Sequence, residues 1–344
     1  MSEQANGEIN DDEDIREFLQ YAEVSEAPST KWEDVAGIET ACEKMKAYVI
    51  LPVKFPHLFT GGVRSTGFLI YGPPGVGKTL LVQVTIAELS TCNVLCYKIS
   101  AYDLLSRWQK HPTKALRAMF RKAEGCKFSV MFIDDFEVLS DQCGNTESGR
   151  KLKEDFVSFT RYFRSNCHES TLCIIGITNK PWKMAEDFSL RQIMDRRVYT
   201  PLPDSKARIA IFKQQLSSVQ HSLLEEDFRM LGERSDGLSG ADISTVVRDS
   251  SMQPIRKIQV ATHFKQISGP CSEDPNKIVD DLLTPCSRDD PGAIEMDWTQ
   301  IEANKLAQQV LTMDDVMKSL STQKPSVSKE ELDMYEQFKE EWGS

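Results

Sequence analysis

Phe68-Leu69-Ile70-Tyr71-Gly72-Pro73-Pro74-Gly75-Val76-Gly77-Lys78-Thr79 is the stretch on which the fold turns. Four apolar, strand-prone residues run into Gly72–Thr79, which fits GxxxxGK[ST], and the helix-compatible run Leu80–Leu89 follows at once. Strand, glycine-rich turn and helix in that order distinguish a phosphate-binding loop from an ordinary glycine turn. Gly72, Gly75 and Gly77, with Pro73, Pro74 and Val76 between them, let backbone N–H groups curl round phosphate oxygens. The N-terminus of the following helix adds a favourable dipole. Lys78 is expected to reach the β- and γ-phosphates of ATP, and the Thr79 hydroxyl to ligate Mg2+.

Working outward, the apolar runs Val94–Ile99, Ser129–Ile133 and Leu172–Ile177 are separated by helix-compatible stretches such as Lys114–Ala123. Short, continuously apolar strands between helices predict an α/β fold with a parallel sheet covered by helices on both faces. Val130–Ile133 ends in Asp134-Asp135, so a strand delivers a carboxylate to its carboxyl tip, with Asp134 holding the metal directly or through water. The strand Cys173–Ile177 ends in Thr178-Asn179. An isolated Asn at a strand end is more readily a turn former, but beside the other motifs the Asn179 amide is expected to orient the attacking water and the γ-phosphate.

Ordered structure is expected from about Lys31, and the alternating pattern lasts to about Pro203. Helical periodicity takes over from Asp204 to about Phe264, as in Ala207–Leu216 and Ala241–Ala261. Residues 268–298 carry Pro270, Pro275, Pro285 and Pro291 among many acids and read as a β or loop insertion. Helical stretches are expected near 313–320 and 328–341.

Composition narrows the classes. A chain of 344 residues, 40% apolar and 27% charged, suits a soluble protein of about two domains. No window approaches the run of about 18 apolar residues that a membrane span needs. The opening is acidic and polar, unlike a signal or transit peptide, so a cytoplasmic protein is expected. Nine scattered cysteines without a CxxC read as free thiols, and five isolated histidines make no metal case. Of the net charge of −11, residues 1–30 supply most, with nine acids against Arg16 alone. They are read as an acidic flexible tail, in which Ile15, Phe18, Leu19 and Tyr21 could share a short helical face. No basic stripe with interleaved aromatics supports a nucleic-acid partner.

Taken together, Trp32–Gly37, the Gly72–Thr79 loop, Asp134-Asp135, Asn179 and Ser239-Gly240-Ala241-Asp242 resemble the meiotic clade of AAA ATPases. Leu51–Thr60, Ile243–Gln259 and Asp280–Cys286 bring the resemblance closest to its vacuolar protein sorting-associated subfamily, over about residues 31–344. The resemblance implies a large P-loop subdomain (31–203), a small helical one (204–264), an inserted β-domain (265–305) and C-terminal helices returning to the core (306–344). It implies Ala36 and Gly37 beside the nucleotide, a hexameric ring, and the pulling of ESCRT-III filament subunits through a central pore at endosomal membranes to which the protein is peripherally recruited. Arg107-Trp108 falls where the family grips substrate in its pore, with an ordinary core aromatic as the alternative for Trp108.

Four departures bear on function. The family ends its acidic strand Asp-Glu, the Glu activating the lytic water, where this chain has Asp135. A carboxylate drawn back by about one methylene is misplaced by enough to cost on the order of a hundredfold in rate. In place of three consecutive arginines that reach a neighbour's ATP stands Leu190-Arg191-Gln192, about two residues longer on its N-terminal side, with Arg191 matching the first. Lys110-His111-Pro112 replaces a flexible Gly-Glu beside the pore aromatic. The family's N-terminal recruitment module is expected to be missing, since an acidic segment of 30 residues is too short to replace it. Two functions are therefore expected: a slow filament-remodelling ATPase, or a hydrolysis-poor subunit joining rings of an intact relative. A microtubule-severing enzyme fits the clade but not the β insertion.

Overall fold

The computed structural model describes residues 14–59, 65–92, 94–106, 112–141, 147–166, 169–185, 187–270, 278–302 and 304–342. The chain divides into two compact units, residues 1–203 with 327–344, and residues 204–326.

The first unit opens with α1 (residues 14–22). A single-turn helix at Trp32–Asp34 precedes α2 (Glu39–Met45), which runs through a wider turn at Lys46–Ile50 into α3 (Leu51–Lys54). Strands and helices then alternate: β1 (Thr66–Tyr71), α4 (Lys78–Ser90), β2 (Leu95–Ser100), α5 (Ala101–Ser106), α6 (Pro112–Glu124), β3 (Phe128–Asp134), α7 (Val138–Asp141), α8 (Glu147–Asn166), β4 (Thr171–Thr178), α9 (Phe188–Ile193) and β5 (Arg196–Tyr199). The five strands form one sheet in the order β2-β3-β4-β1-β5, and every neighbouring pair is parallel. Alternate residues face opposite ways. Leu69, Met131, Ile133 and Ile174 therefore enter one core with Phe120, Phe156 and Phe163. Phe68, Ile70, Val130, Phe132 and Ile175 enter the other with Leu81, Val82 and Ile86. Burial on both faces explains why these strands read as unbroken apolar runs.

The structure differs from the sequence reading at the acidic head. Residues 14–30 are not a loose tail: Phe18 is 1% exposed and Ala22 0%, both inside the first core. The Val24 N–H donates to the Cys96 carbonyl (2.9 Å), and Glu23 bridges Tyr97 antiparallel. The apolar residues at i and i+4 outweigh the charge around them, while Tyr21 turns outward and donates its hydroxyl to Asp103 (2.9 Å). Residues 1–13 lie outside the described residues.

The second unit is a helical bundle of α10 (Ser205–Leu216), α11 (Glu225–Arg234), α12 (Gly240–Val260) and α13 (Met313–Thr322) around Phe212, Leu231, Ile243, Val246 and Val316. Asp204 caps α10 by accepting from the Ala207 N–H (2.8 Å), and Ser239 with Asp242 forms a capping box on α12. Attached is an antiparallel sheet, β7-β6-β8, of β6 (His263–Pro270), β7 (Ile278–Pro285) and the short β8 (Ile294–Glu295). Of the two C-terminal helices, α13 stays in this unit. Only α14 (Lys329–Trp342) belongs to the first, where Tyr335 and Phe338 pack on Tyr71.

Replacing Phe18 with Ala should lower the unfolding free energy of the first unit by about 3 kcal/mol, the cost of deleting a buried ring. Tyr21→Phe, which removes only an exposed hydrogen bond, should cost about 1 kcal/mol or less. Chemical denaturation of both variants checks this, and an unchanged Phe18→Ala midpoint would mean that α1 is not part of the fold.

Candidate functional site

Because all five strands run the same way, their carboxyl ends emerge on one edge of the sheet, where such folds bind ligands. Tyr71 lies level with Thr178, and Ser100 with Asp134. The phosphate-type loop, Asp134-Asp135 and Asn179 thus meet at the same edge, as their places in the sequence predict.

The loop leaves β1 under tight restraint. The Thr200 N–H and hydroxyl both donate to the Tyr71 carbonyl (2.8 and 2.9 Å). A Cβ on Gly72 would lie 2.1 Å from the Thr200 carbonyl oxygen, so only glycine fits. Gly77, at φ +97°, is the left-handed residue that turns the chain into α4. Lys78 is 6% exposed, and its ammonium folds back on the loop to donate to the Gly72 (2.8 Å) and Pro73 (2.6 Å) carbonyls. Burial pushes its pKa down to about 8, opposed by the charges of Asp134 and Glu137. Thr79, in the first turn of α4, is exposed. Ala36 and Gly37 are half-buried nearby: the Ile38 side chain reaches within 3.6 Å of where a Gly77 Cβ would stand. Their segment is tied to α4 by the Trp32 indole N–H donating to Glu88 (3.3 Å).

At the tip of β3, burial pushes the Asp134 carboxyl up, against the Asp135 N–H that it accepts (3.0 Å) and the cations Lys98 and Lys78. Asp135 is the non-glycine residue at positive φ among the described residues (+50°), and its Oδ2 accepts from the Ser100 hydroxyl (3.0 Å). The Phe136 N–H donates to the Ile177 carbonyl (2.9 Å), tying the turn after β3 to β4. Asn179 is half-buried, and its backbone carbonyl accepts from the Tyr335 hydroxyl.

Arg191 is elsewhere. Its Nη1 donates to the Ala185 carbonyl (2.9 Å) and its guanidinium lies 3.2 Å from the centre of the Trp342 ring. Gln192 accepts from the Arg161 guanidinium (2.7 Å). Arg107 and Trp108, with residues 109–111, lie outside the described residues. Sequence reasoning missed Ser100, Glu137, Tyr335 and Trp342. Ser100 and Glu137 could have been sought as polar residues at or just beyond a strand tip, whereas nothing local marks the two aromatics.

The donor set fits a magnesium nucleotide. A hydroxyl at Thr79 and a carboxylate at Asp134 are hard oxygen ligands of the kind Mg2+ shares with phosphates and water. Among the described residues no cluster of three or more His, Cys, Asp or Glu stands ready to hold a metal by itself. No helix among them is long and apolar enough to cross a membrane.

Comparison with known proteins agrees along the chain. The model of the ATPase family associated with various cellular activities matches residues 68–202, the AAA+ lid domain 225–268, and the Vps4 C terminal oligomerisation domain 283–343. Vacuolar protein sorting-associated protein 4B of Pongo abelii is 44% identical over 96% of this chain and 73% of its own length. Vacuolar protein sorting-associated protein 4 of Dictyostelium discoideum is 36% identical over 97% and 76%. Among solved structures, the FIGL-1 AAA domain in complex with ADP superposes with a TM-score of 0.74 at 26% identity, covering 96% of this chain and 97% of that one. With its loop, acidic strand tip, lid and oligomerisation segment all in place, the chain belongs to the vacuolar protein sorting-associated protein 4 family of AAA ATPases, ATP hydrolases of vacuolar protein sorting.

Proposed function

We propose that the chain binds ATP with Mg2+ at the carboxyl edge of its parallel sheet and hydrolyses it slowly, as a ring-forming remodeller of ESCRT-III-type filaments. The observation that carries this reading is the convergence of Lys78, Thr79, Asp134 and Asn179 on the edge that Gly72–Thr79 crosses. Lys78 exchanges its contacts with the Gly72 and Pro73 carbonyls for the β- and γ-phosphate oxygens. Thr79 and Asp134 hold the metal, which when bound neutralises charge on the phosphates. Ala36 and Gly37 border the nucleotide. Asn179, fixed through its own carbonyl by Tyr335, orients the attacking water with its amide. Asp135 stands where a general base is needed, but its carboxylate is short and accepts from Ser100, which supports slow turnover.

The vacuolar protein sorting relatives and the oligomerisation segment at 283–343 support a ring, hexameric by family resemblance, of a cytoplasmic protein recruited to endosomal membranes. Within such a ring Arg107 and Trp108 grip the substrate. A second reading has its own observation. Arg191, the residue meant to reach a neighbour's ATP, is held by Ala185 and Trp342 of its own chain, and Gln192 by Arg161. That favours a subunit that accepts help from an intact relative in a mixed ring and returns little.

Lys78→Ala should weaken binding of a fluorescent ATP analogue at least about a hundredfold, since it removes the cation that meets the phosphates. Equal binding by wild type and variant would dispose of the nucleotide site. Asp135→Glu should raise kcat roughly tenfold or more by restoring reach to the water, at unchanged affinity. A flat rate would shift suspicion to Arg191. Titrated into an intact relative at fixed total protein, the chain should lower phosphate release per subunit below the weighted mean of the two. Strict averaging would argue against mixed rings.

A further inference from the structure

Away from the nucleotide edge, a second concavity lies along β5 at the margin of the sheet. Lys44 of α2, Tyr48 in the turn after it, Arg196 and Arg197 of β5 and Trp342 of α14 enclose about 280 Å3 over Phe68. That is at the lower end for ligand pockets, roughly 300–1,000 Å3, so it takes side chains or a small headgroup rather than a whole cofactor. All of its walls belong to the first unit.

Its charge is one-sided. Lys44, Arg196 and Arg197 line it against a single acid, Asp195. That acid is already engaged: its Oδ1 accepts from the Arg164 guanidinium (2.7 Å) and from the Gly67 N–H (3.0 Å). Neither Lys44 nor Arg196 has a carboxylate partner among the described residues. The Arg196 guanidinium lies instead over the Tyr48 ring, 3.9 Å from its centre, and Arg197 donates to the Trp342 carbonyl (2.5 Å). Burial, and after it the charge of Arg191, disfavour the Arg197 cation, with Tyr71 and Asp195 opposing. Cations gathered in a half-enclosed space repel one another, so an anion that enters stabilises them all.

The strand decides which anion fits. Val198 shares a core with Phe68, so Arg196, two residues earlier, emerges on that face of the sheet and Arg197 on the other. Held to Tyr48 on one face and to the Trp342 carbonyl on the other, the two guanidiniums are presented to two separated anions rather than to one. Successive residues of an extended peptide alternate in the same way, so adjacent carboxylates can each meet a cation. Tyr48, 42% exposed, and the half-buried Trp342 offer apolar ring surface to the methylenes of such side chains.

We infer that this pocket docks an acidic segment of a partner protein, whose successive carboxylates meet Lys44 and Arg196 on one side of β5 and Arg197 on the other. None of the three cations belongs to the nucleotide site, so the inference stands apart from that reading.

The test uses the full chain saturated with Mg2+ and a non-hydrolysable ATP analogue, so that the phosphate-binding loop is filled, and follows the anisotropy of fluorescein-labelled hexaglutamate. The peptide should bind, and raising salt from about 0.05 to about 0.5 M should weaken it at least about tenfold. Lys44→Met and Arg196→Met, which keep long apolar stems and remove the charges, should each weaken binding about fivefold, the upper range for a partly exposed ion pair, and together about twentyfold. Analogue affinity and the unfolding midpoint should stay at wild-type values. Inorganic phosphate at equal total charge should compete at least about tenfold less well, since it cannot engage separated cations through one chain. Lys78→Ala should bind hexaglutamate as the wild type does, which keeps failure of the nucleotide site distinct from failure of this one. Absence of peptide binding, or binding unchanged in the double variant, would overturn the proposal. A change in self-association of that variant by sedimentation, with peptide binding unchanged, would assign the face to a second copy of the chain. Equal competition by phosphate would overturn it too and leave a small-anion site.

Discussion

The Tyr71 carbonyl accepts two hydrogen bonds from Thr200, one from the backbone N–H and one from the hydroxyl. This double bond pattern closes β1 against the end of β5 and sets where the chain leaves the sheet. It presses the Thr200 carbonyl against Gly72, so a side chain there would have to move backbone. With the loop's first residue fixed, its carbonyls can be reached by Lys78 from the first turn of α4, and the buried ammonium donates to two of them. The remainder of the site is placed by strand register, since β3 and β4 end level with their neighbours β2 and β1.

The electrostatics of this edge follow from crowding charges where water is scarce. Burial pulls Lys78 down and, with the neighbouring charge of Asp135, pushes Asp134 up, so each is disfavoured as a charged group. Opposite charges nearby limit both shifts. A bound metal and phosphate would supply the missing partners to both groups at once. Binding therefore relieves a cost already present in the folded chain, which is one way a site is prepared for its ligand.

How much of this could be read from the sequence varies with the range of the interaction. The parallel sheet and its functional edge were legible because Phe68–Tyr71, Ser129–Ile133 and Leu172–Ile177 each carry their own apolar signal and end in a glycine or polar residue. Strand β5 was not, because Arg196-Arg197 makes it look like a loop. Its charges are accommodated by Tyr48, 3.9 Å from the Arg196 guanidinium, and by the Trp342 carbonyl, to which Arg197 donates at 2.5 Å. Helix α1 reads as tail in the sequence since nine acids mask a face carried chiefly by Phe18 and Ala22. The restraint of Arg191 by Trp342 joins residues some 150 positions apart, and no local pattern announces such a pair.

Strands at the margins of a sheet expose unpaired amides and carbonyls that another chain can pair with. Here neither margin is open in that way. The β2 side is closed by Glu23 and Val24, and β5 is only four residues long, carries two guanidiniums and has α14 anchored beside it. For a protein whose family gathers many copies into one assembly, that matters: crowded chains are steered away from fusing their sheets into a continuous ribbon.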